Sequence, residues 1–216
     1  MAELTPMGSN HILTLVIRNP GPADRLISVW NGQAASSDLR PNPNLAIPAN
    51  SAPALSMDGA FGILGGMTVL TEGRLVPVTL TFQRAGSVTT RARVVTRVVT
   101  GTEMTHSSGY DVPTGEAQPS LALSVKPDGE SWQVLAETHD FAFSKDAADG
   151  PHQAGTGHAH LYLNGLKLQR MYTPEARIGA LPDGQHEIRV TLNTNDHRAY
   201  LVNGAPVTAS VNITAD

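Results

Sequence analysis

Apolar and polar residues in this chain alternate with a period of two along much of its length. Leu13, Leu15 and Ile17 share one parity. Val76, Val78, Leu80 and Phe82 alternate with Pro77, Thr79, Thr81 and Gln83, and Val88, Thr90, Ala92 and Val94 follow the same rule. Runs of this kind, rich in β-branched residues, predict strands. No stretch carries the 3.6-residue period of an amphipathic helix. Gly, Pro and Asn punctuate the runs, so the pattern predicts an all-β fold of Greek-key barrels or sandwiches. The segment 101–119, GTEMTHSSGYDVPTGEAQP, breaks the pattern with polar and turn-forming residues. It predicts two domains, 1–112 and 120–216, joined by a linker over 113–119.

The sharpest local prediction comes from residues 158–171, HAHLYLNGLKLQRM. Asn164-Gly165 between two alternating runs specifies a two-residue hairpin of type I′. That turn fixes the register. Leu161 and Leu163 then share a face with Leu166 and Leu168, and this face is expected to be core. His158, His160 and Met171 take the opposite face, with Met171 directly across from His158. Cross-strand Cβ atoms stand about 4.5–5.5 Å apart, close enough for an imidazole and a thioether to meet one ion. His197, in Thr194-Asn195-Asp196-His197, falls at the end of an alternating run in which Ile188, Val190 and Leu192 are expected inside. Histidines at loop ends complete sites built on strands.

These four residues, His158, His160, Met171 and His197, are the expected metal ligands. Imidazole suits copper and zinc, whereas thioether sulfur selects Cu(I). Copper is therefore expected, with Cu(I) favoured and Cu(II) as the alternative. Asp140 and Asp196 are the carboxylates expected to orient the imidazoles. Because the histidine face is not the leucine face, replacing His158 and His160 is expected to cost little stability. The remaining histidines carry weaker signals. His139 sits at an expected strand edge, His186 is expected to be solvated, His152 lies in a Gly/Ala-rich loop, and Met104 and His106 form a pair in the polar segment.

Composition narrows the chemistry. There is no cysteine among 216 residues, which excludes thiolate zinc sites, iron–sulfur clusters and a cysteine-ligated blue-copper centre. Net charge is −4, which argues against nucleic acid as a partner. No apolar run approaches the ~20 residues of a membrane span. Residues 1–115 carry a net +1 and 116–216 a net −5, and six of the eight histidines lie in the acidic half. Ser107, Ser108 and His106 are near one another in sequence, but no Gly-x-Ser-x-Gly elbow exists, and no enzyme is expected. Met1–Pro6 has neither a basic nor an apolar leader region, so either a cytosolic protein or a mature exported form is expected.

Three segments, LTLVIRNPGPADRLISV (13–29), IPANSAPALSMDG (47–59) and LVPVTLTFQRAGSVTTRARV (75–94), resemble the PCu(A)C family of periplasmic copper chaperones. The resemblance covers less than half of the chain. It implies a cupredoxin-like barrel, a periplasmic location and a copper-accepting or copper-donating protein as partner. The family's His-x-Met position reads Phe61-Gly62-Ile63 here, and the upstream ligand segment shortens to Ser36–Asn44 without His or Met. Met57 and Met67 are expected to pack. The second half, with GHAHLYLNG, GALPDGQHEIRVTLNTNDH and a closing NG…V-x-V strand, resembles a β-sandwich domain of secreted bacterial proteins. Copper binding in the second domain, for delivery or storage, is the expected function. A metal-free scaffold of two sandwiches and a copper redox enzyme are the alternatives.

Overall fold

The structure is a computed structural model that describes residues 1–67, 70–95 and 109–216. The Met104/His106 pair and the Ser107/Ser108 cluster lie outside these residues. The described residues are all-β, with no helix, and so none is long and apolar enough to cross a membrane. The chain divides into two compact units, Met1–Thr105 with Asn164–Lys167, and His106–Leu163 with Leu168–Asp216.

The first unit holds β1 (Ala2–Met7), β2 (Asn10–Val16), β3 (Asp24–Trp30), β4 (Ser36–Arg40), β5 (Leu45–Ile47), β6 (Ala54–Leu55), β7 (Phe61–Gly65), β8 (Leu75–Phe82) and β9 (Gly86–Val94). Its strand order is β4-β7-β2-β1-β9-β8-β3-β5, with β6 on the far end of β2. β1 runs parallel to β9 and antiparallel to β2, so neighbours in space are not neighbours in sequence, as in a Greek key. The even-numbered residues Val76, Val78 and Leu80 point into the core, as their alternation predicts. Val88 shares that parity but is exposed. Met67 packs in the core. Asp24 opens β3 and ties it to the turn between β8 and β9, where its carboxylate accepts hydrogen bonds from the backbone N–H groups of Arg84 (2.9 Å) and Ala85 (3.0 Å).

The second unit holds β10 (Tyr110–Asp111), β11 (Ser120–Asp128), β12 (Ser131–His139), β13 (Ala142–Phe143), β14 (Thr156–Leu163), β15 (Leu166–Met171, of which Leu168–Met171 belong to this unit), β16 (Glu175–Ile178), β17 (Gly184–Thr194), β18 (Tyr200–Val202), β19 (Ala205–Pro206) and β20 (Thr208–Ala215). One sheet runs β20-β17-β14-β15, and a second runs β11-β12-β16. A small third ribbon, β10-β18-β19, begins at Tyr110, upstream of the expected linker at 113–119. Asn164 and Gly165 both adopt positive φ, 50° and 85°, as a type I′ turn requires. Across β14 and β17, Ala159 faces Leu192, Leu161 faces Val190, and Leu163 faces Ile188. All six are buried. This is the expected leucine face.

The opposite face of β14 corrects an expectation. His158, His160 and Tyr162 are buried as fully as the leucines, with His158 0% and His160 4% exposed. The central strand is therefore covered on both sides. His186, expected in solvent, is also buried, and its Nε2 lies 2.7 Å from the Pro182 carbonyl. His139 ends β12 and is exposed.

Candidate metal centre

The centre is built on β14. Period-two alternation puts His158, His160 and Tyr162 on one face in sequence. Across the register, β17 presents Asn193 to His158, Thr191 to His160, and Arg189 to Tyr162. Directly opposed residues of an antiparallel pair share a face, so this face is a polar stripe within the unit. Gly157, just before the stripe, is obligatory. A Cβ there would fall onto the Asn193 carbonyl oxygen and crowd Phe141.

His197 arrives from a turn after β17. The backbone N–H of His197 donates to the Thr194 carbonyl at 3.1 Å, and the Thr194 hydroxyl accepts from Arg198 N–H at 3.0 Å. His197 itself holds φ at 69°, a left-handed conformation in which His, Asn and Asp are enriched. The turn brings one ring nitrogen of His197 to those of His158 and His160, and the three atoms lie within 4.8 Å of one another. His197 is the partly open member, with 33% of its side chain exposed.

The spacing suits one ion. The two Nε2 atoms of His158 and His160 stand 3.1 Å apart. Two nitrogens bound at ~2.0–2.1 Å to a tetrahedral centre stand ~3.3 Å apart. Each of two rings also has an outer partner. His160 Nδ1 lies 3.3 Å from the Tyr162 hydroxyl, leaving Nε2 for the centre. His197 Nε2 is hydrogen-bonded to Asp149, leaving Nδ1. Histidine ligands ordinarily carry such a second partner, which fixes tautomer and orientation. Asp149 also holds φ at 63° and pairs with Arg170 at 3.2 Å. The hydrogen bond from His197 holds its carboxyl below the usual carboxylate range, with Arg170 adding to the effect. The Arg189 guanidinium lies 4.0 Å above the Tyr162 ring, and the Tyr172 ring centroid lies 5.9 Å from that of His158.

The sequence-predicted residues fall as follows. His158, His160 and His197 come together. Met171 is buried on β15, the hydrogen-bonded neighbour of β14. The orienting carboxylate is Asp149, not Asp140 or Asp196. Asp196 is taken up by Arg198, 2.8 Å away. Burial pushes its carboxyl up, but hydrogen bonds from Arg198 and Thr194 outweigh that and hold it down. His152 stands apart from the triad, its ring 4.0 Å from that of Tyr110. Tyr162 was legible as the third member of the His-x-His-x-Tyr alternation. Asp149 had no signal, being 48 residues from His197 in an irregular loop.

No protein-family model matches the sequence, and no curated protein matches it. Among solved structures, the chain is similar to the copper-bound PCuAC domain from PmoF2, at 22% identity and TM-score 0.40 over 44% of this chain and 88% of that one. It is similar to the apo PCuAC domain from PmoF1, at 21% identity and TM-score 0.40 over 44% and 89%. It is also similar to fibronectin(III)-like modules of Clostridium thermocellum CbhA, at 13% identity and TM-score 0.30 over 100% and 90%.

Proposed function

We propose that this protein binds copper through His158, His160 and His197 of its second unit, and holds it for delivery or storage. The observation that carries this reading is the convergence of three imidazole nitrogens within 4.8 Å, two of them on buried rings. Metal-free packing gives no reason to bury two adjacent histidines side by side on one strand, because buried imidazole loses hydration. Met171, buried and opposite His158 by the count from the two-residue turn, is the sulfur donor that favours Cu(I). The partner is a copper-donating or copper-accepting protein, the location is periplasmic, and no catalysis is assigned. These last readings rest on the PCu(A)C resemblance.

Copper titration of the apo protein tests the reading, with bound metal measured per chain after desalting. We expect one copper per chain, lost in the His158→Ala/His160→Ala variant. Retention of copper by that variant, or no retention by the parent, would overturn it. Imidazoles must be neutral to bind, so affinity should fall as pH is lowered. The same variant should also lose about 2–4 kcal/mol of apo stability, because both rings are buried and leave cavities.

A further inference from the structure

We propose that Asn193 is the oxygen donor of this centre, and that it gives the site its affinity for divalent copper. The inference rests on the three-histidine reading and deepens it. Asn193 stands directly across from His158 on β17. It is only 5% exposed, and its Oδ1 is buried without a hydrogen-bond partner. Its neighbour along β17 on the stripe, Thr191, is satisfied. Thr191 accepts from Arg189 at 2.9 Å and shares a hydrogen bond with Thr208 at 3.1 Å. A buried acceptor left unmade is costly, and folded proteins retain few. A cation beside His158 would satisfy this one.

The chemistry then divides by side of the strand. β14 carries the two imidazoles. β15 on one flank offers Met171, a soft thioether. β17 on the other offers Asn193, a hard carbonyl oxygen. Soft sulfur selects Cu(I), while imidazole with carbonyl oxygen suits divalent ions, for which copper outranks zinc in affinity. The centre thus has one donor for each oxidation state around a shared pair of rings. Asn193 is a ligand and specificity residue for Cu(II). Met171 serves Cu(I).

The test uses the full chain, with Cu(II) and Cu(I) each titrated against a competing chelator, and electron paramagnetic resonance of the Cu(II) form. Asn193→Ala should weaken Cu(II) about tenfold or more, shift the copper hyperfine splitting, and leave Cu(I) affinity unchanged. Met171→Leu should do the reverse. Asn193→Asp, nearly isosteric, should tighten Cu(II) and decides the matter if the alanine variant does not fold. Unchanged Cu(II) affinity and spectrum in natively folded Asn193→Ala, or in Asn193→Asp, would overturn the inference and assign Oδ1 to a structural water. Copper binding that survives His158→Ala/His160→Ala would instead sink the three-histidine reading, and this inference with it.

Discussion

Two side chains outside the triad hold two of its rings in place. Asp149 grips His197, and Tyr162 grips His160. Removing such outer partners typically costs ten- to a hundredfold in metal affinity. Asp149→Ala should therefore weaken copper by that factor while leaving the apo melting temperature nearly unchanged, because Asp149 is itself exposed. A large fall in apo melting temperature would show that the pair is structural. At this scale the sequence was informative where geometry is local. His158 and His160 share a face because strands alternate, and His197 follows a turn signal. Asn193 and Asp149 were illegible for different reasons. Asn193 required the register of β17 against β14, and Asp149 required the path of a loop.

Among the elements, β14 carries the most information per residue. Its leucine face follows from alternation, and the Asn164-Gly165 turn follows from two residues that tolerate positive φ. The cover over its histidine face did not follow, because partners such as Tyr172 and His197 come from outside the strand. At Gly157 the β17 backbone leaves no room for a Cβ, which would fall onto the Asn193 carbonyl oxygen. Gly157→Ala would force the strands apart beside His158 and Asn193. We expect a loss of about 1–3 kcal/mol from this overpacking, with copper affinity falling too. Thermal unfolding and copper titration of the same variant check both. Unchanged copper affinity would mean that the ligand geometry does not depend on the spacing of β14 and β17.

For the molecule as a whole, the all-β architecture was legible from alternation. Stability has a separate control in the first unit, at Asp24. Burial alone would raise its carboxyl, but backbone N–H donors from Arg84, Ala85 and Arg25 outweigh burial and hold it below the ordinary range. A depressed carboxylate stabilises the fold fully above its unfolded value near 3.8 and loses that contribution as pH falls through the lower folded value. Asp24→Asn should cost about 2 kcal/mol at neutral pH, and its deficit should shrink below about pH 4. Melting curves of both proteins across that range check the sign. The 3.1 Å gap between His158 and His160 has a consequence of another kind. Two facing nitrogens that close share a single hydron in the empty protein, since two would collide and none would leave lone pairs opposed. Loading would then be a change of tautomer rather than a release of charge: the hydron would move to another ring nitrogen, and both facing lone pairs would be open to a newcomer.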